Sequence, residues 1–173
     1  MSTKASPVKF VKGLGPEVVY GRVWPRAEGH LDRLLGPHLR IVNAVPGKVD
    51  FELDITQDHT NRLKIIHGGT IASMVDLGGS LAVASMGLYA TGVSTDLNVT
   101  YLSSGGKVGD KISVSAVCDK MGKTLAYTSI TFRNSKGELA ARGSHTKYVM
   151  QAWKSQTGEL FTPPEGVNLE DVD

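Results

Sequence analysis

Residues 65–95 read IIHGGTIASMVDLGGSLAVASMGLYATGVST, and these 31 positions hold one formally charged residue, Asp76. A run this apolar is either a membrane span or a helix that the rest of the protein covers on most sides. Gly68, Gly69, Gly78, Gly79 and Gly87 interrupt it, Ser73, Ser80 and Ser85 punctuate it, and Asp76 lies in its interior. A carboxylate at the centre of a bilayer is expensive. The expectation is therefore a buried helix and no integral membrane segment.

Outward from this helix the pattern changes to period two. Val49, Phe51, Leu53 and Ile55 alternate with Asp50, Glu52, Asp54 and Thr56, as in a strand with one buried face. Arg40–Ala44 is expected to pair with it across Pro46-Gly47. Four strand-like runs follow the helix. Val93, Thr95, Leu97, Val99 and Tyr101 share one face of the first, with Ser94, Asp96 and Asn98 opposite. Ile112, Val114, Ala116 and Cys118 share a face of the second, and the last two are Thr124–Arg133 and Leu139–Val149. Two strands, a long buried helix and four antiparallel strands predict an α+β domain, a sheet curled around a central helix.

The chain has 173 residues, 40% hydrophobic and 21% charged, which suits one folded domain and excludes disorder throughout. A net charge of +2 does not indicate a nucleic-acid binder. The single cysteine, Cys118, excludes an intrachain disulfide and a cysteine metal cluster, and His30, His38, His59 and His145 lack metal-ligand spacing. No metal is expected. The small net charge conceals a division. Residues 149–173 carry Lys154 against five acids, whereas Leu97–Tyr148 carries eight bases and three acids. That basic excess either lies on solvated strand faces or suits an anionic small ligand. The expected organisation is an N-terminal arm over 1–39 with a short helix near His30–Gly36, a folded unit over 40–149, and a loosely attached acidic extension over 150–173. The arm has lysines but no apolar stretch of the secretory kind, so a cytoplasmic location is expected, with a mitochondrial one as the alternative.

Four features bear on chemistry. Asp76 is flanked at helical spacing by Ala72, Ser73, Gly79 and Ser80, small residues that leave room beside a carboxylate. It either faces solvent on a narrow polar stripe or is partly buried as a base. His67-Gly68-Gly69 precedes the helix, where backbone N–H groups lack internal partners and suit a developing oxyanion. Asn61 reads as a turn residue or a polarising amide, and Ser94 as an outward strand position or a water-orienting hydroxyl. Ser-His-Asp order, P-loop, dinucleotide fingerprint and HExxH are all absent. Metal-free acyl hydrolysis by activated water is one chemistry that this set could perform.

Three stretches, HTNRLKIIHGGTIASMVDLGGSLA (59–82), GVSTDLNVTYLSSGGKVGD (92–110) and GKTLAYTSITFRNSKGELAARGSHTK (122–147), resemble the PaaI-like hotdog-fold acyl-CoA thioesterases, most closely their acyl-coenzyme A thioesterase 13 subgroup. The resemblance covers about residues 40–149. It implies a homodimer, two of which form a homotetramer, with an active site at the dimer interface. Asn61, His67 and the Gly68 N–H would come from one protomer, and Asp76 and Ser94 from the other. Gly68 and Asn61 would polarise the thioester carbonyl, and His67 would orient that region. Asp76 would act as general base or nucleophile, with Ser94 holding the water. Acyl-CoA would be the substrate, with coenzyme A as part of it and no separate cofactor. The implied substrate contacts are Gly69, Asp96, Tyr101, Ser103 and Lys107, then Lys120, Gly122, Lys123 and Thr124, then Lys147 and Tyr148. Where the family often has Ser-Pro-Ala-Lys, this chain has Ser103-Ser104-Gly105-Gly106-Lys107, one residue longer. The expected reaction is hydrolysis of medium- to long-chain fatty acyl-CoA. The alternatives are a hotdog hydratase or dehydratase, which would also use a histidine and a carboxylate, and a non-catalytic acyl-CoA-binding module.

Overall fold

The structure is a computed structural model that describes residues 34–88 and 90–156. Most of the N-terminal arm, including most of the expected helix at His30–Gly36, and the tail from residue 157 lie outside the described residues. The elements are β1 (Leu39–Val45), β2 (Lys48–Asp54), α1 (Gly68–Ala84), β3 (Val93–Tyr101), β4 (Lys111–Met121), β5 (Leu125–Arg133), β6 (Leu139–Tyr148) and α2 (Met150–Gln156). The strands form one antiparallel sheet in the order β1-β2-β4-β5-β6-β3. Pro46-Gly47 makes the first hairpin, with Gly47 at φ 78°.

The chain passes through α1 from β2, near one edge of the sheet, to β3 at the other. The inner face of the sheet packs on this helix. Phe51 and Leu53 of β2, Ile112 and Val114 of β4, and Ile130 and Phe132 of β5 form one core with Met74, Leu77 and Leu81 of α1. Each such side chain, when fully buried, contributes about 1.5–3 kcal/mol. From Leu77 to Ala84 every residue of α1 is buried, which explains why this half of the helix is apolar all round rather than amphipathic.

Sheet and helix approach closely because glycines face large neighbours. A Cβ on Gly143 of β6 would come within 2.6 Å of Val75 Cγ2. One on Gly79 of α1 would overlap His145 Nδ1 and stand 2.8 Å from Thr128 Oγ1. Gly79→Ala is therefore expected to cost about 1–3 kcal/mol through overpacking, read as a lowered urea midpoint.

Two features depart from the sequence pattern. The register of β3 against β6 shifts between Ser94, opposite Lys147, and Asp96, opposite Thr146. Thr95 is thus an extra residue, a β-bulge. It reverses the alternation, so Ser94 shares the inner face with Leu97, Val99 and Tyr101 instead of the outer face with Asp96 and Asn98. The second departure is α2. Ala152 is buried with Val83, Leu88, Ala126 and Val149, and Trp153 packs on them while its Nε1 donates to Gly122 O at 3.3 Å. The first residues of the expected acidic extension thus dock where α1 ends, because they are apolar.

Candidate active site

Asp76 lies midway along α1 with its side chain 30% exposed. The bulged Ser94 donates from Oγ to Asp76 Oδ1 at 3.1 Å. Nε2 of His145 lies 2.8 Å from Ser94 Oγ and 3.3 Å from Asp76 Oδ1. Since the Ser94 proton is directed to Asp76, His145 serves as donor, and the chain runs His145 Nε2–H to Ser94 Oγ–H to Asp76. His145 is fully buried, and its Nδ1 has no hydrogen-bond partner among the described residues. A proton there would be an orphaned buried donor, so the Nε2–H tautomer is assigned from the network.

Burial pushes the His145 imidazole below its usual range, the Lys147 ammonium acts in the same direction, and Asp76 and Asp96 oppose them. The unfolded chain then takes up this proton first as pH falls, and neutral His145 favours the fold. Acidification below the ordinary histidine value of 6.5 is expected to lower Tm, and His145→Gln to flatten that decline.

Spacing and charge gave no reason to select His145, and sequence reasoning passed over it. The signal was its place in β6. Ala141, Gly143, His145 and Lys147 share the inner face, so two small residues are followed by two polar ones directed at the helix. Lys147 departs from its expected role as a surface contact for coenzyme A. It is 3% exposed, and its Nζ donates to Ser80 Oγ at 2.9 Å.

A second group lies at the N-terminal end of α1. His67 is the N-cap, its Nδ1 accepting from Gly69 N–H at 2.8 Å. The Gly68 N–H forms no hydrogen bond among the described residues. It is the donor left at the positive end of the helix dipole. Tyr101 of β3 reaches over Gly68 and donates to its carbonyl at 2.9 Å. Asn61 closes an Asx turn, with Oδ1 accepting from Leu63 N–H at 2.8 Å. This leaves the Nδ2 amino group without a hydrogen bond among the described residues. The 61–66 loop is tied to the β3–β4 loop by pairing of Ile65 with Lys107, which brings Lys107 and Ser103 to the same end of the molecule.

The structure keeps these two groups apart. Eight residues of helix place Gly68 about 12 Å from Asp76. Lys120 is the penultimate residue of β4, and Gly122, Lys123 and Thr124 form the turn that follows it. They sit beside Tyr148, which pairs with Leu125, while Val149 N–H donates to Thr124 O. Lys107 precedes the same strand, so the two basic loops are about 30 Å apart along β4. Each chain therefore carries two half-sites, at opposite ends of β3. One holds Asp76, Ser94, His145 and the Lys120–Thr124 turn. The other holds Asn61, His67, Gly68, Tyr101 and Lys107. Asp96 is exposed on the outer side of β3. Among the described residues no cluster of metal-binding side chains occurs, and no helix is long and apolar enough to cross a membrane.

Comparison with known proteins bears on the family. A family model described as the thioesterase superfamily matches residues 63–141. Human acyl-coenzyme A thioesterase 13 is 40% identical over 121 residues, 69% of this chain and 85% of the human one. The chain belongs to the thioesterase superfamily. A Schizosaccharomyces pombe relative is 48% identical over 114 residues, 66% of this chain and 71% of its own. The crystal structure of thioesterase superfamily member 2 from Mus musculus superposes with a TM-score of 0.69 at 33% identity, over 84% of this chain and 98% of that one. The fold is thus the hotdog fold expected from the sequence, and on its family membership the chain is an enzyme of the thioester hydrolase class. A Streptococcus mutans protein solved with bound acetyl CoA matches with a TM-score of 0.57 at 25% identity, over 64% of this chain and 86% of that one.

Proposed function

We propose that this enzyme hydrolyses acyl-CoA to coenzyme A and a free carboxylic acid, in a site completed by a second copy of the chain. The observation that carries the reading is the placement of the two half-sites at opposite ends of β3. This strand is a sheet edge, and it exposes Val93, Leu97 and Tyr101. An open apolar edge is a template for pairing. Antiparallel pairing of β3 with its copy about a two-fold axis sets the start of one strand beside the end of the other. The Asp76 half of one copy then meets the Gly68 half of its mate.

In that arrangement the Gly68 N–H and the Asn61 amide polarise the thioester carbonyl, and His67 holds the helix start in place. Asp76 takes a proton from water as general base, or attacks as nucleophile. Ser94 is held by His145 and Asp76, and one remaining lone pair orients the water. Lys107 and the Lys120–Thr124 turn face the phosphates of coenzyme A, and pairing would bring the two basic loops toward one ligand. The acetyl CoA bound to the Streptococcus mutans relative supports this ligand class. The preferred acyl group is a medium- to long-chain fatty acid, the assembly a homodimer doubled to a tetramer, and the location cytoplasmic.

Thiol release measured across acyl-CoAs of graded length tests the reading. Turnover is expected to rise from acetyl to medium and long chains. Tight coenzyme A binding without thiol release from any of them would favour a binding module. Loss of the enoyl absorbance of an enoyl-CoA without thiol release would favour a hydratase. A monomer at assay concentration would contradict the shared site.

A further inference from the structure

His59 is fully buried, and both nitrogens of its ring have partners. Nδ1 accepts from Thr56 N–H at 2.9 Å. The ring proton is therefore assigned to Nε2, which donates to the Leu34 carbonyl. Thr56 is the N-cap of the one-turn 3-10 helix Gln57–His59 that follows β2, whereas Leu34 lies 25 residues back, next to Leu35 of the core. The ring of His38 stands edge-on to that of His59 at 5.3 Å. A buried polar ring is costly unless it is satisfied, and a leucine would fill the space without needing partners. What the histidine adds is an acceptor on one side and a donor on the other.

The backbone of the same residue holds the start of α1. The His59 carbonyl accepts from His67 N–H at 2.8 Å and from Thr70 Oγ1 at 3.1 Å. His67 is the N-cap of α1, and the buried Thr70 lies in its first turn. Between the two histidines Thr60 pairs with Ile66, and Asn61 N–H donates to Ile65 O at 2.9 Å. Residues 59–67 thus form a closed loop with His59 and His67 at its base. Asn61 lies within the loop, and Gly68 follows it directly.

We infer that His59 is a positioning residue: its ring, clamped between Leu34 and Thr56, fixes the base of the loop and so holds Asn61 and the Gly68 N–H in place relative to each other. The inference rests on these two donors acting on the thioester carbonyl. His59 acts through them and does not touch the substrate.

The test compares wild type, His59→Leu, His59→Gln, His59→Asn, Asn61→Ala, and His59→Leu combined with Asn61→Ala. All are full-length chains acting on lauroyl-CoA, at a temperature well below every Tm. Donors to charge that develops in the transition state show in kcat more than in KM. A displacement of about 1 Å can cost about 100-fold, so His59→Leu is expected to lose about tenfold or more in kcat. KM and inhibition by free coenzyme A should be unchanged. His59→Gln keeps a donor for the Leu34 carbonyl and should recover most of the loss. His59→Asn keeps only the acceptor for Thr56, and it takes the place of His59→Leu, with the same loss expected, if that variant does not fold. In the Asn61→Ala background His59→Leu should cost much less than in wild type, because one of the two donors it would displace is already gone. A lowered Tm with wild-type kcat would make His59 structural only and overturn the inference. So would equal losses in His59→Leu and His59→Gln, a rise in KM alone, or full multiplication of the two losses in the double variant. If Asn61→Ala kept its activity, the reading of Asn61 would fail first and carry this inference with it. Loss in Asn61→Ala with wild-type kcat in His59→Leu would remove the inference alone.

Discussion

Asp76→Asn is expected to lower kcat for acyl-CoA hydrolysis by at least about 100-fold while the chain stays folded, the scale of a lost general base. The substitution keeps the size of the side chain and its acceptor oxygen, so the Ser94 hydroxyl retains a partner at the position where it now donates at 3.1 Å. What is lost is the negative charge that, in the proposed mechanism, draws a proton from water or attacks the carbonyl. KM should change little, because in the proposed site the carboxylate acts on the reacting atoms and favours the transition state over ground-state binding. Thiol release under saturating substrate, with circular dichroism to confirm the fold, is the measurement. Turnover within a few-fold of wild type would remove Asp76 from the chemistry.

A change of about 25-fold in the opposite direction is expected when two defective chains are mixed. In the proposed site Asn61→Ala removes a donor to the developing oxyanion, a loss that typically costs about 100-fold or more, and Asp76→Asn removes the base. If each site takes Asn61 from one copy and Asp76 from the other, a mixed dimer has one site with both defects and one with neither. Random reassociation of equal amounts should then restore about a quarter of wild-type activity, from two preparations that each show about a hundredth. A site contained in one chain would show no recovery on mixing. Dissociation by dilution or mild denaturant followed by reassembly makes the exchange, and thiol release reads it.

The sequence was most legible where one physical rule acts alone. The alternation of Val49, Phe51, Leu53 and Ile55 located β2, and the glycine-interrupted apolar run located α1, because burial on one face or on all sides leaves a direct imprint. It was less legible where two rules meet. Strict alternation put Ser94 on the outer face, and only the inserted Thr95 reverses this. Bulges have no compositional mark when the extra residue is a threonine, an ordinary strand former. The basic excess of the C-terminal strands was visible, but it treated Lys147 as equivalent to Lys120 and Lys123. The inner alternation of Ala141, Gly143, His145 and Lys147 held the distinction between an exposed cation and a buried one, together with the place of His145 beside Asp76. A histidine judged only for metal-ligand spacing goes unnoticed when its partners are a serine and a carboxylate from other elements.

The Thr95 bulge has a consequence for how this chain tolerates changes in length. Residues 85–92 join α1 to β3 as a connection, and such segments absorb a gained or lost residue by changing the path of the backbone. From Ser94 to Leu97 that freedom ends, since each residue added or removed exchanges inside for outside on one side of the change. Deleting Thr95 alone would restore an unbroken strand, regular in backbone and alternation, while turning the Ser94 hydroxyl away from Asp76. The more regular strand would be the inactive one. Parity of residue count, more than the identity of residue 95, is what natural length variation in this segment has to preserve.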